Sequence, residues 1–297
     1  AAEGDNRSLM AQGQIALGEL WRKQSKYEEA AVCFVKAQTI AEQIDDEAVV
    51  AKALVCAGSL ALYRGDYAAA HNHYTAGLAI RRRLDDQSQV ANTLSDLAIV
   101  TAYQGDLARS GRLFAESLAI RRALSDQWGV ANSLNNLGEL ALMQERYAEA
   151  HRYIEEAVTI YRAIGDRWSL GNAVLTLGNV VRAQGELSAA YPLYQESLQI
   201  YRGLGDQRAL AYLLESIGGL LALQGDALRA IRLAGAAATL RIQLNIPLSP
   251  AEQSQLDQAL EPARQALAPA VAAAAWEAGR AFTLDAALDQ ALAQAAA

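Results

Sequence analysis

Cysteine, histidine and proline are scarce in this chain of 297 residues, which contains 2 cysteines, 3 histidines and 5 prolines. Cys33 and Cys56 form no C-x-x-C or zinc-type spacing, so the sequence favours a reduced, cytoplasmic setting over a secreted disulfide framework. His71 and His73 are two residues apart and therefore lie on different faces of a helix, which argues against a chelating pair. We expect no metal and no cofactor.

An excess of positive charge and a long apolar run are also missing. The chain has 26 basic and 33 acidic residues and a formal charge of −7, which argues against the phosphate backbone of nucleic acid as a partner. The longest apolar stretch, near residues 266–276, is short, alanine-rich and interrupted by Pro269. We therefore expect no segment that spans or enters a membrane.

Catalytic signatures are absent from the sequence. It contains no G-x-x-x-x-G-K-[ST] phosphate loop, no H-E-x-x-H pair and no G-x-S-x-G nucleophile turn. No other nucleophile is paired with a base at a recognisable spacing. We predict that the chain is not an enzyme.

An internal repeat organises the sequence. Its register is given by closing aspartates at intervals of 40 residues: Asp46, Asp86, Asp126, Asp166 and Asp206. Six units follow from this register: 7–46, 47–86, 87–126, 127–166, 167–206 and 207–246. The first residues, AAEGDNRS, contain Gly4-Asp5, which resembles the Gly-Asp endings of the later units and predicts a fragment that begins at a repeat boundary.

Two landmarks recur along the units. A small residue stands near the middle as Gly18, Gly58, Ala98, Gly138, Gly178 and Gly218. A small residue is followed four positions later by an aromatic or aliphatic one in most units, as in Ala30/Phe34, Ala70/Tyr74, Ser110/Phe114, Ala150/Ile154 and Ala190/Tyr194. Over residues 7–246 the pattern resembles the tetratricopeptide repeat, although these units exceed that family's ~34 residues and lack its closing proline.

The resemblance implies an all-α fold, a right-handed superhelix of stacked helix pairs forming an α-α solenoid. Within one unit we predict helices over 127–144 and 147–164, with Asp126 as the first N-cap. Gly-Asp pairs such as Gly65-Asp66 mark the turn between the helices, because glycine supplies a left-handed residue and aspartate the next cap. Glycine costs about 1 kcal/mol inside a helix relative to alanine, so its recurrence mid-helix predicts a close packing seam.

The regular pattern ends at Ile246-Pro247, and residues 247–297 are predicted to form capping helices. Ser249-Pro250-Ala251-Glu252 is a capping-box sequence. The later residues Trp276, Gly279, Arg280 and Thr283-Leu284 resemble the ending that follows the repeats of bacterial signal-transduction ATPases and of LuxR-type transcription activators. The resemblance predicts that Gly279 closes one helix and Thr283 caps the last. A capping hairpin without wider meaning is the alternative.

The ligand-facing positions of tetratricopeptide repeats map onto the first helix of each unit. The resemblance gives a candidate groove of Lys52, Asn92, Ser95, Trp128, Asn132, Asn135, Asn136, Trp168, Asn172 and Asn179, with Asp96 beside Ser95. Asparagine donates and accepts hydrogen bonds at once, which suits the peptide groups of a partner. Similar asparagines in kinesin light chain repeats hold extended peptides, while ordinary solvated surface is the alternative. Trp128 and Trp168 face either the ligand or the neighbouring repeat.

These features favour a ligand-sensing or protein-interaction domain of a larger cytoplasmic signalling ATPase or transcription regulator, which binds a protein or peptide in its groove. Other domains of its own full-length chain are possible partners. A free-standing peptide-binding adaptor is the second hypothesis, and the full gene discriminates between them.

Overall fold

The computed structural model describes residues 2–293, and these residues form fifteen α-helices and no strand. The helices are α1 (Ala2–Lys23), α2 (Tyr27–Glu42), α3 (Glu47–Tyr63), α4 (Tyr67–Arg83), α5 (Gln87–Tyr103), α6 (Leu107–Ala123), α7 (Gln127–Met143), α8 (Tyr147–Ile164), α9 (Arg167–Ala183), α10 (Leu187–Leu204), α11 (Gln207–Gln224), α12 (Ala227–Leu244), α13 (Pro250–Ala266), α14 (Pro269–Arg280) and α15 (Leu284–Leu292). The predicted all-helical fold is confirmed for residues 2–293. Residue 1 and residues 294–297, the ends of the predicted repeat array and of the C-terminal segment, lie outside the described residues.

Helix boundaries follow the repeat register. The predicted helices at 127–144 and 147–164 are α7 and α8, and the Oδ1 atom of Asp126 accepts a hydrogen bond from the Gly129 amide at 2.9 Å, as an N-cap does. Gly4 and Asp5 lie within α1 rather than in a turn, unlike the Gly-Asp endings they resemble in sequence. The prediction that the chain begins at a repeat boundary stays a prediction.

The molecule contains two compact units, residues 1–140 and 141–297. We call α1, α3, α5, α7, α9 and α11 the first helices. The helices that follow them, α2, α4, α6, α8, α10 and α12, are the second helices. In the unit of residues 1–140, α1 packs against α2, α3 against α4, and α5 against α6. The second helices α2 and α4 also contact the first helix that follows each of them, and α3 contacts both α1 and α5.

Both kinds of turn use a left-handed residue followed by a cap. Glycine fills the left-handed position within a helix pair at Gly65, Gly105, Gly185 and Gly225, where φ is between 76° and 88°. Between pairs, Asp45 and Asp85 adopt φ values of 54° and 55°. Aspartate tolerates this conformation better than most residues because its short polar side chain bonds locally. The following Asp46, Asp66, Asp86, Asp106 and Asp206 each accept a backbone N–H in the first turn of the next helix.

The recurring mid-helix glycine is a packing position, as predicted, and its neighbour is an aromatic ring. A Cβ atom added to Gly58 would lie 2.9 Å from the Tyr74 ring, and one added to Gly178 would lie 2.7 Å from the Tyr194 ring. Gly18 meets Phe34 in the same way. The small residue and the aromatic residue of the repeat pattern therefore form one contact between paired helices.

Ion pairs link consecutive second helices. Arg82 and Arg162 share a repeat position near the end of a second helix, and their side chains reach Glu116 at 2.5 Å and Glu196 at 2.7 Å. Arg202 reaches Asp285 at 3.0 Å. All six side chains are substantially exposed, so each pair contributes at most about 1 kcal/mol.

In the unit of residues 141–297, the last three helices cover the final helix pair. Helix α13 packs against α11 and α12, α14 against α12, and α15 against α10, α11 and α12. Ser249 and Glu252 form the predicted capping box, and Thr283 caps α15 as predicted. Gly279 does not close α14: it lies in the last turn, where an added Cβ would collide with the Arg232 carbonyl of α12. Its role is close helix packing. The division into six repeats and a cap at 246/247 stays a prediction.

Candidate binding site

The candidate residues of the unit of residues 1–140 lie on α3, α5 and α7. Lys52, Asn92 and Asn132 occupy the same repeat position on these three first helices; Lys52 and Asn92 are exposed and Asn132 is partly exposed. A side chain that can form hydrogen bonds thus recurs at this position on successive first helices. That the helix pairs form a right-handed superhelix stays a prediction.

Asn92 is tied to a buried arginine. Its Oδ1 atom accepts a hydrogen bond from Nη2 of Arg121 at 3.0 Å, and Nε of Arg121 bonds the Ser117 hydroxyl at 3.2 Å. Arg121 is only 3% exposed. Asn92 therefore keeps its amide N–H groups for a partner while its oxygen positions a guanidinium.

A second buried arginine, Arg81, stands at the equivalent position one repeat earlier and is 7% exposed. It donates to the Gln89 carbonyl at 3.2 Å and to the Thr93 hydroxyl. Burial lowers the pKa of Arg81, with Asp96 and Asp86 opposing that shift. Sequence reasoning missed both arginines, although their shared position in two repeats was a visible signal.

Three of the predicted residues make contacts within the fold instead of presenting a free side chain. Ser95 is buried, and its hydroxyl lies 2.9 Å from that of Ser117. Asn135 is also buried and donates to Glu139 at 2.9 Å, while its own Oδ1 has no hydrogen-bond partner among the described residues. Asn136 donates a long hydrogen bond of 3.4 Å to Asn132. Ser95 and Asn135 therefore offer little surface to a ligand.

Trp168 contacts its own repeat and stays accessible. Its Nε1–H donates to the Asp206 carboxylate at 3.0 Å, and its ring meets that of Tyr201 edge to face at 6.4 Å. The side chain is nevertheless 56% exposed, and Trp128 is 48% exposed. The other oxygen of Asp206 caps α11. Asp206, the last residue of this repeat, therefore also bonds Trp168 near the start of the repeat.

The remaining candidates of the unit of residues 141–297 lie on α9. Asn172 is partly exposed. Asn179 accepts a hydrogen bond from the Tyr194 hydroxyl at 2.8 Å, the same tyrosine whose ring covers Gly178. Asn179 therefore holds a buried aromatic residue in place.

A tyrosine-lined pocket of about 470 Å³ lies on α3, α4 and α5. Its walls are Ser59, Leu62, Tyr63, Tyr67, Tyr74, Asp96, Ile99 and Tyr103. Ser59, Asp96 and Ile99 stand at predicted ligand-facing positions of the first helices, whereas the four tyrosines were missed. Burial raises the pKa of Asp96 to about 6, and Arg81 and Arg121 partly oppose the rise.

Within residues 2–293, no helix is long and apolar enough to cross a membrane. No group of three or more metal-ligating side chains is assembled in that part of the chain.

One family model matches part of the sequence. Residues 89–163 match the family model described as tetratricopeptide repeat. No curated protein sequence matches the chain.

Solved structures share the fold at low sequence identity. Aspartyl phosphate phosphatase F from Bacillus subtilis is 16% identical with a TM-score of 0.66, covering 88% of this chain and 71% of its own. A Rap protein complexed with competence and sporulation factor is 17% identical with a TM-score of 0.58, covering 87% of this chain and 77% of its own. A putative kinesin light chain from Podosopora anserina, described as nearly identical TPR-like repeats, is 15% identical with a TM-score of 0.57, covering 67% of this chain and 97% of its own. The fold is that of a TPR-like α-solenoid.

Proposed function

We propose that this chain is a non-catalytic tetratricopeptide-repeat scaffold that binds an extended protein or peptide segment on the face of its first helices. The observation that carries the proposal is the recurrence of Lys52, Asn92 and Asn132 at one position on α3, α5 and α7, none of them fully buried. Ser95 and Asn135 on the same helices are buried and lie outside this row.

The chemistry of the row suits a peptide backbone. An extended segment presents N–H and C=O groups at regular intervals, and asparagine amides satisfy either kind. Each neutral hydrogen bond contributes about 0.5–1.5 kcal/mol net, so specificity requires several of them together. In the unit of residues 141–297, Asn172 stands at the equivalent repeat position.

We place this scaffold in a larger cytoplasmic signalling ATPase or transcription regulator, where it senses a protein or peptide ligand. The support is the resemblance of Trp276, Gly279, Arg280 and Thr283 to the ending that follows such repeats, and the fold shared with a Rap protein complexed with competence and sporulation factor. A free-standing peptide-binding adaptor is the alternative. A gene with a nucleotide-binding module or a helix-turn-helix beside this region supports the first placement, and a gene that encodes only repeats overturns it.

A display library of random peptides tests the binding function directly. We expect the protein to enrich a peptide family whose affinity falls in the double variant Asn132→Ala/Asn172→Ala. Its matched control is Asn72→Ala/Gln199→Ala, in which exposed polar residues of the second helices α4 and α10 are replaced. Failure to enrich any peptide, or equal losses in the two double variants, would overturn the proposal.

A further inference from the structure

The tyrosine-lined pocket presents electron-rich rings on several sides. Tyr67 and Tyr103 stack with ring centroids 5.1 Å apart and planes within 5° of parallel. Tyr63 and Tyr103 are both more than 60% exposed, although tyrosines of a folded domain usually bury most of the ring. Tyr74 forms part of the pocket wall and donates its hydroxyl to Ser59 at 3.0 Å.

One carboxylate faces this pocket without a hydrogen-bond partner. Asp96 lines the pocket and is partly exposed, and it forms no hydrogen bond or ion pair with any residue in 2–293. The arginines that attract it at longer range are bonded elsewhere: Arg81 to Gln89 and Thr93, and Arg121 to Ser117 and Asn92. A partly buried carboxylate with no donor is costly unless a ligand supplies one.

The Tyr63 ring already contacts a cation. The Arg22 guanidinium lies 4.7 Å from the centroid of the Tyr63 ring and is held there by Glu19 at 2.7 Å. A cation over a tyrosine face is attracted by the ring quadrupole, and the attraction grows as water is excluded. Tyr67, Tyr74 and Tyr103 line the same pocket as Tyr63 and Asp96.

We propose that the pocket formed by Tyr63, Tyr67, Tyr74, Tyr103 and Asp96 binds an organic cation, an ammonium or guanidinium group. The cation pairs with the Asp96 carboxylate, and the tyrosine rings surround its apolar stem. It comes either from a basic side chain of a bound peptide or from a free small molecule. Only the peptide source rests on the function proposed above.

An anionic or purely apolar ligand fits the same walls poorly. An anion would meet Asp96 directly, while the arginines that could attract it are buried and occupied. An apolar group would remove water from Asp96 and leave it without any donor, which costs free energy. The unpaired carboxylate thus discriminates in favour of a charged donor.

The test uses argininamide and its neutral isostere citrullinamide. Saturable shifts of the Tyr63 and Tyr103 ring signals in nuclear magnetic resonance spectra, assigned with Tyr63→Phe and Tyr103→Phe, report binding. We expect argininamide to bind, citrullinamide to bind much more weakly, and Asp96→Asn to weaken argininamide by about tenfold or more. The matched control Asp45→Asn changes an exposed turn aspartate and should bind like wild type.

Two further measurements complete the design. Tyr103→Phe keeps the ring and should retain binding, whereas Tyr103→Leu should lose it, and thermal melting shows whether each variant is folded. Short peptides with a central arginine, compared with argininamide, separate the two sources of the cation. Equal binding of argininamide and citrullinamide, or unchanged binding in Asp96→Asn, overturns the proposal. Argininamide binding is scored independently of the peptide library, so the two proposals fail separately.

Discussion

Tyr74 covers Gly58 on α3 and reaches past it to donate a hydrogen bond to Ser59 at 3.0 Å. The same relationship recurs in the other unit, where Tyr194 covers Gly178 and donates to Asn179 at 2.8 Å. The glycine removes the side chain that would block the ring. A packing contact of the repeat thereby brings a tyrosine hydroxyl from the second helix to the first helix of its pair.

Enlarging the small residue should disrupt this contact. We expect Gly58→Leu and Gly178→Leu to lower the free energy of unfolding by about 1–3 kcal/mol, because the added side chain collides with a buried ring. Gly13→Leu is the matched control, since nothing lies within 4 Å of a Cβ atom added there. Thermal melting tests this expectation. If the melting temperatures of Gly58→Leu and Gly178→Leu equal that of Gly13→Leu, the small residue is not required for packing against the ring.

Local capping chemistry explains why the sequence predicted the helices well. Gly65 and Asp66 end one helix and begin the next through interactions within a few residues, so the repeat register places both boundaries. The tyrosine pocket is different, because Tyr63 and Tyr103 share a repeat position but meet Tyr67 only through the packing of three helices. Buried Arg121 was missed for a similar reason: arginines are rarely buried, and its neighbour Arg122 at the next position is exposed.

Two Glu–Arg ion pairs should contribute differently to the free energy of unfolding. Glu215 and Arg241 form two short hydrogen bonds, with side chains only 9% and 15% exposed, whereas Glu116 and Arg82 are about half exposed. We expect Glu215→Gln to destabilise by about 3 kcal/mol, because a largely buried guanidinium loses its charged partner. Glu116→Gln should cost at most about 1 kcal/mol. Urea titrations of both variants provide the comparison, and equal costs would contradict it.

The stability of the fold should depend on Asp96 in a pH-dependent way. Burial raises its pKa from 3.8 to about 6 against the attraction of Arg81 on α4 and Arg121 on α6, which corresponds to about 3 kcal/mol when it is ionised. The folded state binds the proton more tightly, so stability falls as pH rises from about 4 to 6.

The corresponding variant is Asp96→Asn, which removes the charge. We expect it to be more stable than wild type at pH 7 and to approach wild-type stability near pH 4. Chemical denaturation at both pH values measures this, with Asp45→Asn as the control. A variant that is less stable than wild type at pH 7 would show that attraction to the two arginines outweighs burial.

The asparagines of the first-helix row should not respond alike to truncation. A solvated asparagine replaced by alanine gains helix propensity, so Asn132→Ala should leave the melting temperature unchanged or slightly raised. Asn92→Ala removes the acceptor that receives Nη2 of Arg121, a guanidinium that is 3% exposed. Hydrogen bonds to charged groups are worth about 1.5–3 kcal/mol, and we expect a loss of that order. Thermal melting of the two single variants tests the difference. If Asn92→Ala melts like Asn132→Ala, the contact with Arg121 contributes nothing to stability, and Asn92 is as free as Asn132 to serve a ligand.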